Sequence, residues 1–374
     1  MIAIATIGTL ALSVFVIGLL LAFTPYLMRR NECFAITVPA SVQDDPRLIS
    51  LKKRYAAIML VLTVVTTAVS LAAGILITSG QDMAGSVLVN VALFVPVVMS
   101  FVLMLRNRRK VIALKRSEGW EAKHHQATAS VAEKDLPTAI PLAWNLIYVP
   151  IILGTVCVGL ALYPNMPGML PMHADFMGNV DSYVPKTLGS AIGFPVAFEA
   201  FMAACFIFSH WMIVRSKHSE DPGAPATSAL AYGLFARAQS VFLFITGVLI
   251  SGGIGFLFLL ASAGFISLGQ VGLIAIILCI PIVIGSVVLL VVYGQAGSRV
   301  FRKMNDSDEL LSDDDEHWKL GVFYFNREDA SIFLPKRFGF GWTLNFARPA
   351  AWVVVGGFVA LSVAFVVLVF YLAG

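Results

Sequence analysis

The sequence predicts an all-α membrane protein, a polytopic bundle of about eight transmembrane helices with both termini outside. Three observations predict it. Mean hydropathy is +0.85, and charged residues are only 13% of the 374, against about 25% in ordinary soluble domains. The apolar residues come in unbroken blocks rather than periodic stripes, and about 20 of them cross a ~30 Å hydrocarbon core as a helix. All but one of the 26 Lys and Arg residues, the exception being Lys186, fall in four of the segments between the blocks. Lipid leaves backbone groups unsatisfied, so helix is the default spanning form, and the alternating pattern of a barrel is absent.

The blocks lie at residues 2–28, 56–78, 84–105, 141–163, 189–214, 239–262, 270–296 and 349–373. The first has no basic residues ahead of it and is too long for the core of a signal peptide. It reads as an uncleaved anchor. The basic segments 29–55, 106–140, 215–238 and 297–348 alternate with 79–83, 164–188 and 263–269. Basic loops stay cytoplasmic, so the alternation of these segments is expected to leave both termini outside.

Within the blocks, Thr66, Ser70 and Gly74 share one helix face, as do Gly247, Ser251 and Gly255. Small residues one turn apart let backbones approach closely, here as bundle packing. Pro96, Pro150, Pro195 and Pro281 interrupt four blocks and are expected to kink them. Cys157, Cys205 and Cys279 are buried in apolar sequence and Cys33 is isolated. No CxxC or Cys/His cluster exists, so neither a disulfide framework nor a metal is expected, and no cofactor is called for. The adjacent His124 and His125 point to different sides of any helix.

The polar segments carry the candidate chemistry. In 29–55, Asp45 is placed to cap a helix beginning at Pro46. The basic stretch near 106–126 suits either anionic headgroups or a topology signal alone. The loop at 164–188 gathers Met166, Met169, Met172 and Met177 with His173, Asp175, Asp181 and Tyr183. Adaptable thioethers beside a few polar groups suit a peptide-binding surface. A cap that merely covers the bundle is the other reading. Glu199 stands among apolar residues at membrane depth, a position that is functional by default or else a hydrogen-bonded lock between helices. Asn90, Asn145 and His173 are its candidate partners. His210 with Trp211 reads as an interfacial anchor. The acidic run from Asp306 to His317 reads as a solvated linker. After it, Phe323 to Phe325 and Ile332 to Leu334 are expected to form a small β-hairpin. Lys336, Arg337, Trp342 and Phe346 then combine charge and aromatic rings, as in the headgroup zone or at a cytoplasmic partner.

The motif formed by Pro171, His173, Gly178, Asp181 and Lys186 resembles the short Pro-x-His…Gly…Asp…Lys signature of bacterial multi-pass membrane proteins related to SdpI, the immunity protein against the sporulation-delaying toxin. The stretch NECFAITVPASVQDDPRLISLKKRY is similar to another conserved stretch of that family, with Ala35 where relatives carry glycine. SIFLPKRFGFGWTLNFARP resembles a C-terminal domain of unknown function found in the longer relatives. The resemblance covers about a third of the chain. It implies a plasma-membrane protein whose best-known relative neutralises a secreted peptide and retains a transcriptional regulator at the membrane. It brings no catalytic residue.

Two functions follow. One is a non-enzymatic receptor or immunity protein that binds an extracellular peptide or other ligand at the 164–188 loop, with His173, Asp175, Gly178, Asp181, Lys186 and Glu199 as candidate ligand-binding residues, and holds a cytoplasmic regulator. The other is a transporter or channel using Glu199. No HExxH, paired intramembrane aspartates or GxSxG is present, so enzymatic chemistry is not expected. Direct nucleic-acid binding is not expected either.

Overall fold

The computed structural model describes residues 2–29, 31–120, 136–175, 178–217, 224–304 and 313–372. His124, His125, Met177 and residues 306–312 of the acidic run lie outside the described residues. Every expected block is helical. In chain order the helices are α1 (Ile2–Leu27), α2 (Pro46–Thr78), α3 (Asp82–Glu118), α4 (Tyr148–Leu162), α5 (Phe194–Arg215), α6 (Pro225–Val248), α7 (Gly255–Ser262), α8 (Leu268–Tyr293), α9 (Ser298–Met304) and α10 (Pro349–Leu372). A π turn, Leu249–Ile254, fuses α6 and α7 into one span. Among the described residues, eight helical stretches are long and apolar enough to cross a membrane. The chain is an integral, multi-pass membrane protein whose solvent is largely lipid.

Three helices run well past their apolar blocks. α2 starts at Pro46, where the Asp45 carboxylate accepts from the Arg47 N–H at 2.7 Å and proline occupies the first turn. α3 holds 37 residues, about 55 Å at 1.5 Å each, some 25 Å more than a bilayer core needs. α6 begins at Pro225, not near residue 239. Lys and Arg are good helix formers, so these helices continue into water where hydropathy alone would end them. Pro96 and Pro281 are inside α3 and α8 as expected. Pro150 is in the first turn of α4 and Pro195 follows the π turn Gly189–Gly193. Both stand where turn geometry changes, so each marks a helix start rather than a mid-helix kink.

The small-residue faces seat helices of the same chain. A methyl group on Gly74 would lie 2.4 Å from Ile7 Cγ2, and one on Gly247 would lie 2.0 Å from Tyr148 Oη. Thr66, Ser70 and Ser251 are buried beside them. α10 is fixed to α5 by the stacked rings of Phe201 and Phe365, 4.2 Å apart.

Short antiparallel hairpins close the two ends of the bundle. On one end, β3 (Met169–Ala174) pairs with β4 (Val180–Pro185), with a register shift around Met172. The sequence alone predicts a loop here. The Leu170–Val184 pair is buried against Leu259 and Ile192, and that cross-strand contact holds it as a hairpin. The other end, the basic face, carries β1 (Glu32–Cys33) with β2 (Ile36–Thr37), β5 (Trp318–Lys319) with β6 (Phe323–Tyr324), and β7 (Phe333–Pro335) with β8 (Trp342–Leu344). The single hairpin expected between Phe323 and Leu334 is therefore two. Asn326 Oδ1 accepts from the Glu328 and Asp329 N–H groups and turns the chain away. Asn345 Nδ2 donates to the Asn326 and Asp329 carbonyls and stitches the two hairpins together.

The tight turn of the first hairpin holds Phe34 at φ 47° and Ala35 at φ 61°, a left-handed conformation that costs an L-residue about 1 kcal/mol. Ala35 is thus a residue where only glycine is free of strain, at the position where the resembled family carries glycine. Both are fully buried, and Phe34 packs with Tyr55 and Phe338. Ala35→Gly is expected to leave thermal stability in detergent unchanged or raise it by up to ~1 kcal/mol. Ala35→Val should lower it by more than 1 kcal/mol, because a β-branched side chain is worse there and Ala35 Cβ already faces Gly321. A more stable Ala35→Val protein would contradict the turn.

Candidate functional site

On the β3–β4 hairpin, His173 Nδ1 and Asp181 Oδ1 form a cross-strand pair at 2.6 Å. Both are open to solvent, His173 by 68% and Asp181 by 51%. Asp175 instead closes the turn, its carboxylate accepting from the Asn179 N–H at 2.8 Å and from Asn179 Nδ2 at 3.1 Å. Gly178 supplies φ +86° in the same turn. Lys186 anchors the hairpin base: Nζ donates to the Met166 carbonyl at 2.9 Å and lies 5.2 Å from the Tyr163 ring centroid. Ser190 Oγ donates to the Pro185 carbonyl at 2.8 Å. The hairpin therefore has a rigid root and an exposed strip of Met169, His173, Asp181 and Tyr183.

Glu199 lies in the middle of the fold with no exposed surface. Its Oε1 accepts from Thr155 Oγ1 of α4 at 2.7 Å, and its backbone carbonyl accepts from Ser251 Oγ of the π turn at 2.8 Å. Oε2 is buried without a partner among the described residues. Gly255 is bare because Glu199 fills the space its side chain would take, the Cγ lying 2.2 Å from a methyl built there. Two π turns, Gly189–Gly193 and Leu249–Ile254, flank the residue, and such wide turns recur at functional sites. The partners named from sequence are not used: Asn145 Nδ2 donates to His210 Nδ1 at 2.8 Å, and His173 holds Asp181. Asn90 caps back onto Ser86. His210 is itself buried, donating through Nε2 to the Ile140 carbonyl at 2.9 Å. It is an internal lock between α5 and the approach to α4, not an interfacial anchor.

The basic face is drawn together by a knot of charge. Arg337, 4% exposed, pairs with Asp314 and Asp315 and covers the Trp318 ring at 5.2 Å. Asp315 also accepts from Lys115 Nζ at 2.6 Å, from the Thr37 N–H at 3.0 Å and from Thr37 Oγ1 at 2.9 Å. Arg108 Nη1 donates to the Ala35 carbonyl at 2.6 Å and Nη2 to the Trp318 carbonyl at 3.2 Å. Burial alone would raise the Asp315 carboxyl, but Arg337 and Lys115 outweigh it and hold it below the usual carboxylate range. The end of the acidic run is thus a packed ion-pair centre, which corrects the solvated-linker reading for residues 313–317.

Among Lys336, Arg337, Trp342 and Phe346, only Arg337 turns fully inward, so its charge faces aspartates instead of headgroups. Lys336 is half-buried and paired through its backbone to Gly341 at 3.0 Å. Trp342 meets Phe235 and walls a cavity of about 180 Å³ against α6 and α8. Phe346 stacks among Phe323, Phe325 and Trp352. Sequence reasoning missed Asp315 and Thr155, and it placed Ser251 on a packing face without its bond to Glu199. Asp315 looks like one acid among many, and its cations are contributed from residues 115 and 337, far away in sequence. Thr155 and Ser251 look like ordinary small polar residues of a span.

Comparison with protein families gives two matches. Residues 151–198, from α4 through the hairpin into α5, match a domain of unknown function (DUF1648). Residues 327–352, from the β6–β7 turn to the start of α10, match a family of unknown function (DUF5808). The first covers the hairpin and stops one residue short of Glu199; the second includes Arg337. No curated protein matches the chain, and no solved structure does.

Proposed function

We propose that this protein is a non-enzymatic receptor or immunity-type protein of a bacterial plasma membrane. In this reading the β3–β4 hairpin faces outward and binds an extended peptide. The basic face is cytoplasmic and holds a soluble regulator near Lys336 and Phe346. One observation carries the reading: the exposed His173–Asp181 pair stands beside Tyr183 and Met169 on a hairpin whose root is fixed by Lys186. A rigid strand presenting an aromatic ring, a thioether and a hydrogen-bonding pair binds with little ordering cost. The unequal distribution of Lys and Arg supports the orientation, and the resemblance to proteins related to SdpI supports the class of ligand.

A displayed library of secreted-type peptides, panned against the protein in nanodiscs, tests the proposal. Enrichment should fall at least tenfold for the His173→Ala, Asp181→Ala double variant, while its unfolding free energy stays within about 0.5 kcal/mol of the parent because both residues are exposed. Equal enrichment would reject the hairpin as the binding surface.

A second reading, transport through Glu199, is favoured by the buried, unpartnered Oε2 and the flanking π turns. Glu199→Gln separates the two: peptide enrichment survives under the first reading, whereas solute flux into vesicles is lost under the second.

A further inference from the structure

At the basic face a cavity of about 740 Å³ opens between the end of α1, the start of α2 and the α8–α9 break. Its two walls differ in kind. Tyr26 of α1 and Val291 and Val292 of α8 form an apolar wall exposed on the bundle surface at the level where the spans end. The other wall carries Arg29, Lys52, Arg299, Arg302 and Lys303, opposed by Glu32 and Asp44. Five cations against two acids in one recess is a strong local excess in a chain whose overall charge is only +4.

Some of these cations are held by the protein. Arg299 Nη1 donates to the Val291 carbonyl at 2.8 Å, Lys52 Nζ to Gln43 Oε1 at 2.5 Å, and Arg29 to Glu32 at 3.5 Å. These bonds position the basic groups around the recess. Arg302 and Lys303 are exposed and form no ion pair with a described residue. Two buried polar atoms at the same recess also lack a partner among the described residues: Ser298 Oγ, and Oε2 of Glu32, itself 4% exposed. A hydroxyl donor and several cations beside an apolar wall match a phosphate joined to hydrocarbon. Burial pushes the Glu32 carboxyl up against the pull of Arg29 and Arg337, which lessens its repulsion of an anion.

We propose that this recess binds the phosphate headgroup of an anionic phospholipid of the adjoining leaflet, with its acyl chains lying along Val291, Val292 and Tyr26. A free phosphate would use the cations but not the apolar wall, and for that reason the lipid is the occupant we favour.

The full-length protein, delipidated in detergent, is titrated with phosphatidylglycerol, phosphatidylcholine or inorganic phosphate while the thermal midpoint and lipid retention by native mass spectrometry are read. Phosphatidylglycerol should raise the midpoint and remain bound; phosphatidylcholine and phosphate should not. The Arg302→Gln, Lys303→Gln variant should weaken phosphatidylglycerol roughly thirtyfold, as two lost headgroup cations imply, with an unchanged midpoint in phosphatidylcholine. The Lys319→Gln, Arg327→Gln control, which removes two exposed charges of the same end outside the recess, should leave it unaltered. Equal weakening by the control would make the effect diffuse charge, and an equal response to phosphate would make the site one for soluble phosphates. Either result, or no discrimination between the two lipids, overturns the proposal.

Discussion

Arg337→Ala is expected to destabilise the protein by about 3–5 kcal/mol, the cost of removing one partner from a buried ion pair. The guanidinium bonds both Asp314 and Asp315, and without it Asp315 retains Lys115 and Thr37 while losing its buried counter-charge. The loss should be legible as a lower chemical-denaturation midpoint in detergent and as earlier proteolysis of the segment after α9. Arg337→Lys should recover only part of the loss, because a point charge cannot bridge two carboxylates as a planar fork does. Acid gives an independent reading. A carboxylate whose folded value is depressed stabilises the fold above its unfolded value, near 3.9, and that contribution disappears as pH falls through the lower folded value. The parent should therefore lose stability as pH is lowered below about 4. Asp315→Asn, weaker at neutral pH, should lose less over the same interval. A parallel acid profile for the two proteins would remove Asp315 from the centre of the knot.

The second large effect is expected at Gly255. Any side chain there meets Glu199 Cγ at 2.2 Å and Oε1 at 2.7 Å, and Glu199 cannot withdraw because Thr155 and Ser251 hold it from both sides. Gly255→Val should force α7 away from α5 and reduce folded yield after detergent extraction severalfold, with a loss of at least 2–3 kcal/mol as in other overpacked cores. Gly264→Ala, at a site with free space but positive φ, should cost only about 1 kcal/mol. If Gly255→Val folds as well as the parent, α5 and α7 do not cross where described.

How much of this was legible beforehand follows from the range of each interaction. Spans can be read because lipid solvation is a local property of about twenty consecutive residues, and the positions of Lys and Arg predict which of their ends share a side. The ends of α2, α3 and α6 were misjudged because hydropathy reports the bilayer boundary while helix propensity carries Arg108 and Lys115 beyond it. Those extensions matter, since they deliver the cations that meet Ala35 and Asp315. The hairpin was hidden behind its methionines and prolines, although Leu170 and Val184 pack inward from paired positions. His173 and Asp181 were both named as site residues from the motif, yet their pairing depends on a strand register that spacing alone does not give. Glu199 stood out as an acid in an apolar block. Its partners did not, because a threonine and a serine in a membrane helix carry no signature until the helices cross.

In the proposed receptor the hairpin and the charge knot stand on opposite sides of a membrane. In a background with the four native cysteines replaced by alanine, His173→Cys and Lys319→Cys each place one thiol at an exposed position on one end. Treated with a membrane-impermeant maleimide in intact cells, the thiol at 173 should be labelled at once, and the one at 319 only after the membrane is opened. Labelling of both in intact cells, or of neither, would contradict the two-faced arrangement on which the receptor reading depends.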